Sequence, residues 1–134
     1  MAESNEYIDD AASNGGPERV RPIIVAGQSS QRTRDVLRAL SQFQNVIWPT
    51  TLESALAQSS EAGCLVIADD LQEEPIDEFL QEARGRNRSL PIFVITDPDD
   101  VAEAVSAMRH GATAVIEIPP SYATLCDEVT RATR

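Results

Sequence analysis

The side chains in this sequence that could do chemistry are carboxylates and hydroxyls placed directly after short apolar runs. Asp69 and Asp70 follow CLVIA at 64–68, and Thr96 ends PIFVIT at 91–96. Carboxylates of this kind can hold a divalent cation, and hydroxyls beside free backbone amides can hold a phosphate group. All 11 basic residues are arginines, so the chain contains no lysine. Mechanisms that need a compact, mobile ammonium group are therefore excluded.

The composition is typical of one acidic domain. A chain of 134 residues with 42% hydrophobic content can build a single core. Acidic residues outnumber basic residues 22 to 11, and the net charge of −11 repels nucleic acid phosphates, so we expect no direct binding of DNA or RNA. Cys64 and Cys126 lack the spacing of a zinc site or a disulfide framework. The sequence has neither a bilayer-length apolar run nor a secretory signal, so we expect a cytoplasmic protein without membrane contact.

Two segments of the chain differ in composition. Residues 1–20 mix acidic residues with Ser, Asn, Gly and Pro and have almost no apolar periodicity. Such a segment cannot bury enough surface to offset the entropy lost on ordering, so we predict a disordered acidic tail. Residues 21–134 then form the folded domain.

The folded segment repeats a strand followed by a helix five times. Each short apolar run precedes a stretch with helical spacing of apolar residues. The runs are PIIVA at 22–26, NVIW at 45–48, CLVIA at 64–68, PIFVIT at 91–96 and TAVIEI at 113–118. Apolar strands separated by helices indicate a parallel sheet covered by helices on both faces. We predict an α/β fold with five parallel strands in the flavodoxin-like order 2-1-3-4-5.

Polar residues indicate where several helices begin and end. Thr50 followed by Glu53 predicts a capping box at the start of the second helix. The aspartates of DPDD at 97–100 predict a cap for the fourth helix, and Gly111 predicts its end. Ser121 leads the last predicted helix, after a Pro-Pro turn.

In an open parallel sheet of this order, ligands gather at the carboxyl ends of the strands, beside the point where the strand order reverses. Here that point lies between the first and third strands. The residues delivered to this edge are Gly27, Gln28, Ala68, Asp69, Asp70, Thr96, Asp97 and Ile118. These residues decide what the domain can do.

Three blocks resemble one family, the receiver domains of response regulators, and in particular the FixJ type. The blocks are GCLVIADD at 63–70, LPIFVIT at 90–96 and AVSAMRHGATAVIEIPP at 104–120. The resemblance implies a role in two-component signal transduction or a phosphorelay. It does not imply activity, because function depends on the site that a fold carries.

Members of this family accept a phosphoryl group on an aspartate that ends the third strand. An acidic pair after the first strand holds Mg²⁺, a Thr or Ser follows the fourth strand, and a Lys lies near the end of the fifth. In this sequence the acidic pair falls on Gly27 and Gln28, and the lysine position falls on Ile118. Thr96 alone is kept. The resemblance therefore implies a pseudo-receiver that binds no metal, is not an enzyme and acts through protein contacts.

The position of the phosphoacceptor has two interpretations. An ungapped count places Ala68 there, whereas a shift of one residue places Asp69 there. With Asp69 the domain would be a weakly active phosphoacceptor that uses Mg²⁺. With Ala68 it would accept no phosphoryl group.

A different chemistry has its own basis in the loop GQSSQRT at 27–33. Its hydroxyls and amides lead into a helix N-terminus and could hold the phosphate of a nucleotide or a flavin. The plainer interpretation is ordinary capping of that helix by Ser29 or Ser30.

The resemblance also implies a partner surface on helix four, strand five and helix five. Val101, Arg109, Glu128 and Arg131 are the surface candidates there. The expected partners are another signalling protein, an output domain, or a second copy of the chain in a homodimer.

Overall fold

A computed structural model describes residues 21–118 and 122–133. The predicted acidic tail at 1–20, the Pro-Pro turn and the helix start at Ser121 lie outside the described residues. The strands are β1 (Ile23–Ala26), β2 (Val46–Ile47), β3 (Cys64–Ile67), β4 (Ile92–Thr96) and β5 (Ala114–Glu117). The helices are α1 (Gln31–Ala39), α2 (Leu52–Ser59), α3 (Ile76–Arg86), α4 (Val101–Arg109) and α5 (Ala123–Ala132), with a short 3₁₀ turn at Leu40–Gln42.

All five strands are parallel and lie in the order β2-β1-β3-β4-β5, which confirms the predicted topology. β1 pairs with β3 over four residues, from Ile23 opposite Cys64 to Ala26 opposite Ile67. β1 and β3 therefore end level with each other. This register sets the residues after β1 beside the residues after β3.

Alternate residues of the strands enter two separate cores, one on each face of the sheet. On one face, α2, α3 and α4 cover Ile24, Leu65 and Val94. On the other face, α1 and α5 cover Val25 and Val66. The central strands are therefore apolar at almost every position, with Thr96 at the end of β4 as the exception, because each successive side chain points into one core or the other.

Side-chain caps fix the starts of three helices. Ser30 caps α1, Thr51 caps α2 and Asp100 caps α4, each accepting a hydrogen bond from a backbone amide in the first turn. The capping box predicted at Thr50 is wrong by one residue, because the amide of Ser54 bonds to Thr51 at 3.1 Å. The predicted cap of α4 is confirmed at Asp100, the last residue of DPDD.

Arg84 links two connections, the one that leads into β4 and the one that leads into β5, by hydrogen bonds to their backbone carbonyls. Its Nη1 donates to the carbonyls of Arg88 at 2.8 Å and Leu90 at 2.7 Å, and its Nη2 donates to the carbonyl of Gly111 at 2.6 Å. Gly111 has a φ of +120°, in the region that favours glycine, as expected where α4 ends. Within the described residues, no helix is long and apolar enough to cross a membrane.

Candidate functional site

Backbone hydrogen bonds bring the predicted site residues together in two groups. Between β1 and β3, the amide of Ala68 donates to the carbonyl that ends β1 at 2.7 Å, and the amide of Gln28 donates to the carbonyl of Asp70 at 2.8 Å. Between β4 and β5, the amide of Ile118 donates to the carbonyl of Thr96 at 3.0 Å. Both groups lie at the carboxyl edge of the sheet, as the strand order predicts.

Gly27 lies where a side chain has no room. A Cβ atom added there would be 2.8 Å from Oγ1 of Thr33 and 3.1 Å from the amide nitrogen of Asp69. The Cβ of Ala68 would be 3.5 Å away. Thr33 is fully buried, so its hydroxyl cannot swing out into solvent. The space that an acidic side chain after β1 would need is already filled.

Beside Thr33, the inner part of this edge consists of two apolar side chains and the hydroxyl of Thr96. Ala68 is fully buried and Ile118 is 5% exposed, and both belong to the core under α1 and α5. Thr96 is fully buried, and within the described residues its Oγ1 has no hydrogen-bond partner. An aliphatic side chain at 118 cannot compensate negative charge as an ammonium group would.

The carboxylate of Asp69 is engaged by its neighbours. Oδ2 accepts a hydrogen bond from Oγ of Ser30 at 2.5 Å, and Oδ1 accepts one from the amide of Asp70 at 2.7 Å. Because Ser30 also caps α1 through the amide of Thr33 at 3.2 Å, Asp69 links the loop after β3 to the start of α1. The choice between Ala68 and Asp69 for the acceptor position stays a prediction.

Arg32 brings a cation to this edge that the sequence reasoning missed. Its guanidinium, on the first turn of α1, forms an ion pair with Asp97 directly after β4. Burial and the carboxylates of Asp100 and Asp70 raise the pKa of Glu103, and the charge of Arg32 acts in the opposite direction. In the sequence there was little indication of the ion pair between Arg32 and Asp97, because these two residues are 65 positions apart.

The residues at this edge do not fit a magnesium ion bound, as in receiver domains, by an acidic pair after the first strand. Gly27 leaves no space for a carboxylate, and the side chain of Gln28 ends in a neutral amide. Asp69 and Asp97 already have partners in Ser30 and Arg32. Over residues 21–118 and 122–133, no three His, Cys, Asp or Glu side chains come together as a metal site.

The loop at 27–33 has little room for a nucleotide or a flavin. The cavity beside it, lined by Gly27, Gln28 and Leu71 among others, has a volume of about 70 Å³, whereas pockets for such ligands measure roughly 300–1,000 Å³. Trp48 donates from Nε1 to the carbonyl of Gly27 at 3.2 Å and helps to fix the loop. Ser30 serves as the ordinary helix cap.

Three of the four predicted surface residues, Val101, Arg109 and Arg131, are exposed, and Glu128 is half-buried. Val101 is 66% exposed and Arg109 lies exposed at the other end of α4. On α5, Arg131 forms an ion pair with Glu128 at 3.3 Å. Sequence reasoning missed Val105 and Met108, which are 46% and 50% exposed. Their spacing from Val101 could have revealed them, because residues i, i+4 and i+7 share one face of a helix.

Solved structures of response-regulator receiver domains share this fold. A receiver domain protein from Clostridium thermocellum is 16% identical, with a TM-score of 0.69, over 85% of this chain and 94% of that chain. The receiver domain of NtrX from Brucella abortus is 23% identical, also with a TM-score of 0.69, over 83% and 97%. A putative response regulator from Chloroflexus aurantiacus is 16% identical, with a TM-score of 0.72, over 85% and 98%. No curated protein matches the sequence.

Fold, strand order and sequence blocks together define a receiver-like domain of the response-regulator type, as the resemblance predicted. The model of one family, described as the flagellar regulatory protein FleQ, matches residues 23–134. The chain belongs to this family. The match covers every strand and helix given above.

Proposed function

We propose that this chain is a signalling module of two-component type that accepts no phosphoryl group, catalyses no reaction and acts through protein contacts. The observation that carries the proposal is the crowding at Gly27. A carboxylate there would need space now held by the hydroxyl of Thr33, 2.8 Å from the missing Cβ, and by the backbone of Asp69. Without an acidic pair after β1, a divalent cation lacks its anionic ligands.

Three further features support the proposal. Ile118 supplies no charge where a transferred phosphoryl group would need a cation. The ion pair between Arg32 and Asp97 joins α1 to the segment after β4, and it needs neither a metal ion nor a phosphoryl group to do so. The hydrogen bond from Ser30 likewise occupies an oxygen of Asp69. These contacts stabilise one arrangement of the edge without any modification.

Signals would then pass through the surface formed by α4, β5 and α5, which includes Val101, Arg109, Glu128 and Arg131. The partners would be another signalling protein, an output domain or a second copy of the chain. The family's description as a flagellar regulatory protein supports control of flagella as the process served. Such a module would work in the cytoplasm.

The test exposes the whole chain to acetyl phosphate with Mg²⁺ and, separately, to beryllofluoride with Mg²⁺. Intact-mass measurement detects a phosphoryl adduct, and fluorescence of Trp48, the single tryptophan, reports binding because its Nε1 bonds to the carbonyl of Gly27. We expect neither an adduct nor a change in fluorescence. A receiver domain with a complete pocket serves as the positive control.

A weakly active acceptor at Asp69 is the second candidate, because this half-buried carboxylate lies one residue beyond Ala68 at the end of β3. This second candidate predicts a phosphoryl adduct that depends on Mg²⁺, is lost in Asp69→Asn and is retained in Asp70→Asn. That result would replace the proposal above. Stabilisation by FMN or ATP without Mg²⁺ would instead support ligand binding at 27–33, which the small cavity does not favour.

A further inference from the structure

Four arginines lie together where α3 and α4 end, at the amino edge of the sheet. The guanidinium of Arg84 bonds to the carbonyls of Arg88 and Gly111, so it holds the turn after α3 against the end of α4. Arg109 precedes Gly111 by two residues. Arg86, Arg88 and Arg109 are exposed. We call these three arginines, together with Arg84, the basic patch.

The basic patch lacks carboxylate partners. On α1 and α5, by contrast, Arg32, Arg38 and Arg131 each form an ion pair with an aspartate or a glutamate. Over residues 21–118 and 122–133, no ion pair joins a carboxylate to an arginine of the basic patch. The positive charge at the amino edge is therefore left uncompensated on the side of α3 and α4.

Nearby negative charges are too few to balance the basic patch. On α3, Asp77 accepts a hydrogen bond from Oγ of Ser106 at 2.5 Å, and Glu82 interacts with Glu74 and raises its pKa. Glu61, which follows α2, is exposed and forms no ion pair with the patch. The dipoles of α3 and α4 add about half a negative charge at each carboxyl end. Four arginine charges exceed the sum of these dipoles and Glu61.

We infer that residues 1–20 of this chain dock on the basic patch through their carboxylates. The charged residues of this segment are one arginine, Arg19, and five acids, Glu3, Glu6, Asp9, Asp10 and Glu18. The segment would then act as an intramolecular cover of the basic patch. This inference does not depend on the proposed function, because it involves neither phosphoryl transfer nor a partner protein.

The segment joins the fold at the same edge of the sheet. The carbonyl of Pro22 accepts a hydrogen bond from the amide of Gly63 at 2.8 Å, so the chain enters β1 beside the start of β3. The carbonyl of Pro91 accepts one from the amide of Leu65 at 2.9 Å, so β3 in turn starts beside β4. Two strand spacings, about 10 Å, therefore separate the start of β1 from the start of β4. The turn that carries Arg88 leads directly into β4.

The acidic residues can reach the basic patch from this point. The composition of residues 1–20 predicts a chain without regular structure, whose root-mean-square span is about 5–6 Å times the square root of the residue number. Asp10 then lies about 18 Å from Arg21, and Glu3 about 23 Å. Single exposed ion pairs are weak, but a short tether gives an effective concentration on the order of millimolar. Several such pairs can therefore hold the segment on the patch.

A spin label beside the aspartates tests the inference in the whole chain. Ala12→Cys in a Cys126→Ser background accepts the label, and Cys64 stays unmodified because it is fully buried. Paramagnetic broadening should be strongest at the amides of residues 85–89 and 109–111. It should disappear in about 1 M salt, where the screening length falls to about 3 Å. Broadening that salt leaves unchanged, that is uniform over the domain, or that is confined to residues next to Arg21 would overturn the inference.

Charge reversal identifies the surface that attracts the segment. Arg86→Glu combined with Arg88→Glu should remove the broadening, because repulsion replaces attraction. Arg34→Glu combined with Arg38→Glu is the matched control, since it makes the same change of charge at exposed positions of α1 and should preserve the broadening. An equal loss in both double variants would show a general effect of net charge and contradict docking at the patch.

The reciprocal change lies outside the folded domain and so does not depend on the folding of the arginine variants. Asp9→Asn combined with Asp10→Asn should weaken the broadening at residues 85–89. Asp9→Arg combined with Asp10→Arg should restore it in the background of Arg86→Glu and Arg88→Glu. Neutralised aspartates that leave the broadening intact, or reversed charges that fail to restore it, would contradict the inference.

A mixed sample distinguishes docking within one chain from contact between copies. It contains isotope-labelled chain without a spin label and spin-labelled chain without isotopes, at the same total protein concentration. We expect no broadening in this mixture. Broadening as strong as in the doubly labelled chain would assign the basic patch to the segment of a second copy and overturn the inference.

Discussion

Replacing Gly27 by alanine should destabilise the domain, because the added methyl group enters filled space. The new Cβ would be 2.8 Å from Oγ1 of Thr33 and 3.1 Å from the amide nitrogen of Asp69, both closer than van der Waals contact. Thr33 is fully buried and β-branched, so its side chain has few alternative rotamers in α1. The loop after β3 is also held, because the amide of Ala68 bonds to β1 at 2.7 Å.

The magnitude follows from the general cost of overpacking. One extra carbon in a filled site costs about 1–3 kcal/mol, and with two close contacts we expect about 2 kcal/mol for Gly27→Ala. Urea unfolding followed by Trp48 fluorescence measures this value as a lower midpoint at unchanged slope. Since Trp48 bonds to the carbonyl of Gly27, circular dichroism of the helices serves as the second, independent probe.

A second glycine provides the matched control. Gly85 lies within α3, and a Cβ added there meets nothing within 4 Å. Gly85→Ala should therefore stabilise the domain by about 0.5–1 kcal/mol, the usual advantage of alanine within a helix.

A double-mutant cycle identifies the cause of the penalty. Thr33→Ala removes the hydroxyl nearest to the new methyl group, so it should make Gly27→Ala at least about 0.5 kcal/mol less costly, a coupling typical of residues in contact. If Gly27→Ala costs no more than Gly85→Ala, or if Thr33→Ala leaves the cost unchanged, the crowding argument fails. The main support for the proposed function would then be lost.

Two other predictions concern stability. Arg84→Lys should lower the free energy of unfolding by about 2–4 kcal/mol, because one ammonium group cannot replace the hydrogen bonds that the guanidinium donates to three backbone carbonyls. Arg88→Lys, at an exposed position, should leave the urea midpoint unchanged. Equal midpoints for both variants would contradict the role of Arg84. Burial, together with the carboxyl group of Glu82, raises the pKa of Glu74, so this group favours the folded state at low pH and the benefit is lost as pH rises through its folded pKa. Glu82→Gln should therefore raise thermal stability at neutral pH, and the gain should shrink as the pH falls and Glu74 becomes protonated; a gain that is independent of pH would refute this.

The sequence determined the fold because its signals are local. Runs of apolar residues separated by helical spacing predicted five parallel strands, since a strand buried on both faces is almost wholly apolar. The succession of five strand–helix units predicted their order. The same counting placed Gly27, Thr96 and Ile118 at the carboxyl edge of the sheet. It missed the cap of α2 by one residue, because Thr50 and Thr51 are chemically alike and only the backbone conformation distinguishes them.

Tertiary structure alone decided which distant groups meet. The contact of Arg32 with Asp97 spans 65 residues, and no periodicity in the sequence couples two positions so far apart. The crowding at Gly27 likewise depends on Thr33 and on the loop after β3, which come together only when β1 and β3 end at the same level. Composition and local pattern specify the elements of a fold, whereas the distances that allow or exclude chemistry are set when the elements pack.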